Sequence, residues 1–224
     1  MSQPSIFQLT SWENYKHNIF IAIHEALLIL LQEQNLPKIE DSPIQHSLNR
    51  HLAKVCFKKA IYLNRLPISR PTYNGENPPY KDDVERHLRE NTKPDFAWSI
   101  IDHTADEENC ERNFILECKR LGDQPSKNYV NKGIRRFIAQ PHEYGKGDDS
   151  CGMIGYIQSM GFDDILQEIN SAISQNSDPI SSLPLPINGW QENGISELEH
   201  DLERPFPVSP FRMCHFWVDL RSNY

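Results

Sequence analysis

The chain has 224 residues, 38% apolar and 24% charged, with a formal net charge of −8. That length fits one domain, 1–224, whose core is large enough to need no staples, and no apolar run reaches the ~18 residues of a membrane span. The five cysteines (Cys56, Cys110, Cys118, Cys151, Cys214) are scattered with no CxxC pair. This argues against disulfides and against a structural zinc site, and for a cytoplasmic location. The first residues lack the basic region that opens a signal peptide, so none is expected.

The charge is unevenly spread. From Gly147 onward there are 12 acids against 3 bases, a balance of −9, which leaves the first 146 residues at +1. Glu111–Lys146 carries 8 bases against 4 acids. A net negative charge argues weakly against non-specific nucleic-acid binding, but the positive charge is concentrated in that one stretch.

In chain order, Ser11 caps a first helix from Trp12, with Ile19, Ile23, Ala26, Leu27, Leu30 and Leu31 at helical spacing. It ends near Gln34-Asn35. A second helix begins at Pro43, with Ile44, Leu48, Leu52, Val55, Cys56, Ala60 and Leu63 as its core stripe. Residues 66–92 are broken by four prolines and read as loop, with a short helix at Asp82–Arg89. Phe96–Ile101 and Asn113–Cys118 read as strands joined by a hairpin loop. A basic helix is expected from Ser126 to Gln140, with Lys127, Lys132, Arg135 and Arg136 off its apolar stripe. Cys151–Ile157 reads as a buried strand, Phe162–Ile173 as an amphipathic helix, 174–210 as an extended excursion and Phe211–Leu220 as a last strand. The pattern is α/β, with a central mixed sheet flanked by helices.

The chemistry gathers at Phe114-Ile115-Leu116-Glu117-Cys118-Lys119-Arg120. On a strand, residues i and i+2 share a face, so Glu117 and Lys119 point one way and Cys118 the other. Opposite charges at the end of an apolar strand are costly unless they pair or hold something. The bland reading is a strand-end ion pair worth ~0–1 kcal/mol. Asp95 stands 22 residues upstream, at the start of the neighbouring strand. Adjacent strands lie ~4.8 Å apart, so two carboxylates on one face can hold a hard divalent cation between them. Such an ion polarises a phosphoryl oxygen and activates water, with Lys119 beside it as base or charge stabiliser.

Pro94-Asp95 and Glu117-Cys118-Lys119 resemble the signature of the PD-(D/E)xK nuclease superfamily, the fold of restriction endonucleases. The family core of helix, three strands, helix and strand can be laid onto residues ~40–157. Residues 1–38 then form an N-terminal helical extension and 158–224 a C-terminal addition. The strand expected before Asp95 is hard to find in the proline-rich segment. The resemblance implies Mg²⁺, with Mn²⁺ as a substitute, held by Asp95 and Glu117, with Lys119 catalytic. Many members add an acid from the first core helix. Glu40 fits that place ahead of Glu25, although an acid there also suits the helix dipole. Lys132, Arg135 and Arg136 are candidates for phosphate contacts.

The function implied is an endonuclease hydrolysing phosphodiester bonds, in DNA rather than RNA. By analogy with small stand-alone nucleases it would be an effector of bacterial antiviral defence, working with a protein partner or as a homo-oligomer. The alternative is a catalytically silent nuclease-fold subunit that binds or scaffolds another protein.

Overall fold

The computed structural model describes residues 11–33, 36, 43–74, 93–103, 105–107, 110–122, 124–138, 144–145, 147–175, 193–204 and 210–223. Glu40 and the helix expected at Asp82–Arg89 lie outside them.

Helix α1 (Trp12–Gln32) opens with the Ser11 hydroxyl accepting the Asn14 N–H at 3.4 Å. Its stripe of Trp12, Tyr15, Ile19, Ile23, Ala26, Leu27 and Leu30 is buried. Helix α2 (Pro43–His51) runs through a π-helical turn (Leu52–Cys56) into α3 (Phe57–Leu63). A π turn inserts one residue into the helical repeat. The stripe read from the sequence therefore slips beyond it. Phe57 is fully buried against the sheet, whereas Leu63 is exposed.

Six strands form one mixed sheet: β1 (Thr72–Tyr73), β2 (Phe96–Ile101), β3 (Glu111–Leu121), β4 (Ser150–Ile157), β5 (Ile195–Leu202) and β6 (Phe211–Asp219). Their order is β1-β2-β3-β4-β6-β5. The pairs β1–β2, β2–β3 and β5–β6 are antiparallel, while β3–β4 and β4–β6 are parallel. Helices cover both faces. Helices α1–α3 pack with Phe96, Trp98, Phe114, Leu116 and Cys118 on one. Helix α4 (Phe162–Gln175) and the segment 126–138 pack with Leu121, Met153, Ile157 and Trp217 on the other. Strand β4 lies at the centre, is buried throughout, and reads as a continuous apolar run for that reason.

Three expectations need correction. A strand does precede Asp95: β1 is only two residues long, too short for a period to register, and it pairs Tyr73 with Phe96. The excursion 174–210 contains β5, whose Leu198, His200 and Leu202 face inward and alternate with outward Glu197, Glu199 and Asp201. Finally, Ser126–Gln140 is no continuous α-helix. A π-helical turn (Ser126–Asn131) breaks at Gly133 and resumes as a 3₁₀ turn (Ile134–Phe137). A Cβ on Gly133 would lie 2.3 Å from the Tyr129 carbonyl oxygen and 2.4 Å from the Met153 methyl. The break lets the backbone settle directly onto the sheet beside Lys119.

Candidate active site

Asp95 lies in the bend that leads into β2. The last β2–β3 pair is Phe96 with Leu116; one further step places Asp95 beside Glu117. The ladder has ended there, and the carboxylate takes over as acceptor: Oδ2 receives the Cys118 N–H at 2.8 Å. The residue is half-buried and its carboxyl group lies inside. Burial first, and then the neighbouring Glu117, push the Asp95 carboxyl from 3.8 up to about 7. Lys119, the Cys118 N–H and Arg136 oppose the shift without cancelling it.

Glu117 is 1% exposed. Its Oε1 takes the Arg136 guanidinium at 2.6 Å and also the Lys119 ammonium. Its Oε2 is buried and has no hydrogen-bond partner among the described residues. Lys119, 8% exposed, also donates to the Cys118 carbonyl at 3.1 Å. Cys118 itself turns to the opposite core, where burial raises its thiol well above 9.0.

The site thus holds two carboxylates and two cations. One carboxylate oxygen has no partner and one carboxyl group is buried enough to resist ionisation. An unsatisfied buried carboxylate oxygen costs on the order of 1–3 kcal/mol, so its place in a packed site calls for an account. All the free donors are oxygens, the set a hard divalent cation prefers.

The second cation comes from the basic segment in an unexpected way. Lys132 is exposed after the π-helical turn. Arg135 is half-buried and already engaged. Arg136, expected on the phosphate surface with them, instead turns inward onto Glu117. Its carbonyl accepts the Tyr144 N–H at 2.9 Å, and its guanidinium stands 6.0 Å from the Tyr144 ring centre. Burial, then the charge of Glu117, raise the Tyr144 phenol above its ordinary 10.0.

Arg204 holds this corner in place. Its buried guanidinium donates to the carbonyls of Phe137, Tyr144, Gly145 and Asp148 at 3.0–3.5 Å. It stacks 3.5 Å from the Phe211 ring centre. Gly145, at φ +61°, makes the turn that brings these carbonyls together. Beneath the site, Trp217 Nε1 donates to the Tyr129 hydroxyl at 2.9 Å, and that hydroxyl shares a hydrogen bond with His215 Nδ1 at 2.7 Å. His215 Nε2 passes the chain on to His200 Nδ1 at 2.8 Å. Burial lowers both histidines, His200 to about 4, so the network is neutral.

The structure therefore brings together Asp95, Glu117, Lys119 and Arg136, and leaves Lys132 and Arg135 outside the cluster. Glu25 sits on α1, which packs on the opposite face of the sheet from Glu117. Tyr144 and Arg204 carried no motif that marked them in the sequence. Comparison of the chain with protein-family models, curated proteins and solved structures found no match.

Proposed function

We propose that the chain is a metal-dependent endonuclease that hydrolyses phosphodiester bonds in DNA, with Asp95 and Glu117 as the metal ligands and Lys119 as the catalytic cation. The observation that carries this reading is the convergence of the two carboxylates on one face. Asp95 is anchored by the Cys118 N–H, and Glu117 leaves Oε2 buried without a partner. The order of elements supports the PD-(D/E)xK resemblance. A helix, three strands in antiparallel succession, a helical segment and a strand parallel to the third follow one another.

A hard dication fits these groups. Glu117 Oε2 and the second oxygen of Asp95 are its available ligands, and its double charge would offset the cost of ionising Asp95. When bound, Mg²⁺ supplies Lewis acidity toward a phosphoryl oxygen and an activated water. The chain's own residues do the rest. Lys119, steadied by Glu117 and the Cys118 carbonyl, presents positive charge toward a phosphate bound at the carboxylates. Arg136 pairs with Glu117 Oε1 and so compensates that carboxylate's burial inside the protein. The exposed Lys132 is available to a neighbouring phosphate.

A silent subunit is the competing reading, favoured by one observation: Lys119 and Arg136 already satisfy Glu117 Oε1. Plasmid nicking in Mg²⁺ separates the two. The enzyme reading predicts nicking by wild type and loss of roughly 100-fold or more in Asp95→Ala and Lys119→Ala. Equal or absent nicking in all three would overturn the enzyme reading.

A further inference from the structure

A second group of ligand-type side chains lies on the other face of the sheet, among the helices. Helix α1 ends at Glu33, whose side chain turns toward the junction of α2 and α3. His51 ends α2, and Cys56 ends the π-helical turn that follows. Residues five apart lie above one another across a π turn, so His51 and Cys56 present one edge. The Glu33 carboxylate, the His51 imidazole and the Cys56 thiol have donor atoms all within 4.8 Å of one another.

An ion pair between His51 and Glu33 accounts for part of this arrangement and leaves the Cys56 thiol outside it. His51 Nε2 meets Glu33 Oε2, yet that nitrogen is buried and makes no hydrogen bond. The two atoms converge without sharing a proton in hydrogen-bond geometry. The thiol of Cys56 is fully buried and forms no disulfide. The position of Glu33 is fixed from a third part of the chain: Asn223 Nδ2 donates at 3.0 Å to the carbonyls of both Leu31 and Glu33. Lys59, at 3.9 Å from Glu33 Oε1, stays on the far oxygen.

We propose that Glu33, His51 and Cys56 bind a zinc-class divalent transition metal as three of its ligands. One sulfur, one nitrogen and one oxygen donor suit Zn²⁺ and its neighbours and do not suit Mg²⁺. Tetrahedral zinc with bonds of ~2.0–2.3 Å places its donors under ~4 Å apart. The imidazole and carboxylate, now in direct contact, would part to about 3.3 Å to admit the ion, and the thiol would close on them by no more than about 1 Å. On binding, the metal takes the thiolate electron pair, and the thiol proton leaves to solvent. The imidazole contributes its neutral lone pair. Carboxylate, thiolate and dication then sum to zero charge. No cysteine pairing in the sequence signals the site, because its ligands come from three separate elements. It is distinct from the all-oxygen site at Asp95 and Glu117, and it would clip the end of α1 to the α2–α3 junction.

Cobalt titration of the metal-stripped full chain tests this. The expected result is a thiolate-to-cobalt charge-transfer band saturating at one equivalent, with intense tetrahedral d–d absorption, both erased by Zn²⁺. The band should persist in Glu117→Gln and vanish in Cys56→Ala. His51→Gln, at a partly exposed position, should weaken binding by roughly tenfold or more. Absence of the band in wild type, an undiminished band in Cys56→Ala, or an unchanged affinity in His51→Gln would each overturn the proposal. If Cys56→Ala does not fold by circular dichroism, the His51→Gln affinity decides.

Discussion

Replacing Asp95 with asparagine should stabilise the metal-free protein, by an amount that grows with pH. Asparagine keeps an oxygen for the Cys118 N–H but carries no charge to bury. The Asp95 carboxyl rises from 3.8 when unfolded to about 7 when folded. At 1.36 kcal/mol per pH unit, that difference corresponds to at most about 4 kcal/mol. The sign follows from the raised folded value. Below 3.8 the carboxyl is neutral in both states and costs nothing. Stability is then lost as pH rises, until the folded value near 7 is passed. Other groups titrate too, Asp148 with the same sign at about 6, but they are common to wild type and variant and cancel in the comparison. Urea denaturation at pH 5 and pH 8 in chelator should therefore show the advantage of Asp95→Asn growing by about 2–3 kcal/mol. Saturating Mg²⁺ should restore wild type by about 2.7 kcal/mol at a hundred times its dissociation constant and leave the variant unchanged. An advantage that stays flat with pH, or an equal Mg²⁺ response in both proteins, would refute the reasoning.

The supports of the site make separate predictions. Arg204→Met strands buried carbonyls of Phe137, Tyr144, Gly145 and Asp148; it should cost about 3–5 kcal/mol in urea denaturation and speed amide exchange at Tyr144 and Asp148. Tyr129→Phe removes the hydroxyl shared by Trp217 and His215, for a loss of about 2–3 kcal/mol by the same measurement. Gly133→Ala forces a methyl into the Tyr129 carbonyl. It should cost about 1–3 kcal/mol and, by shifting Lys119, lower nicking more than it lowers the melting temperature.

The heart of the site was legible because it depends on strand geometry alone. The i, i+2 rule puts Glu117 and Lys119 on one face, and the hairpin β2–β3 brings Asp95 alongside. What escaped the sequence was tertiary. The break at Gly133 is set by contact with Tyr129, Met153 and Lys119 across the sheet, which no local propensity encodes. That break turns Arg136 onto Glu117 and half-buries Arg135 while Lys132 stays exposed, although all three read alike as bases on one helix. Strand β5 did carry its signal, a strict alternation from Glu197 to Leu202, masked by the serine, proline and asparagine around it. Arg204 lay in an acidic stretch and could be recognised only once its four carbonyl partners had gathered.

The account stands or falls on whether Asp95 and Glu117 share one ion. Crystals of the wild-type protein soaked in Mn²⁺ and measured at the manganese edge address this directly. The account predicts one anomalous peak within ~2.0–2.3 Å of a carboxylate oxygen of each residue, with Lys119 beside it, and loss of the peak in Glu117→Gln. A manganese peak bound to neither residue, or a site that stays empty at saturating Mn²⁺ with Lys119 and Arg136 still closed on Glu117, would contradict it.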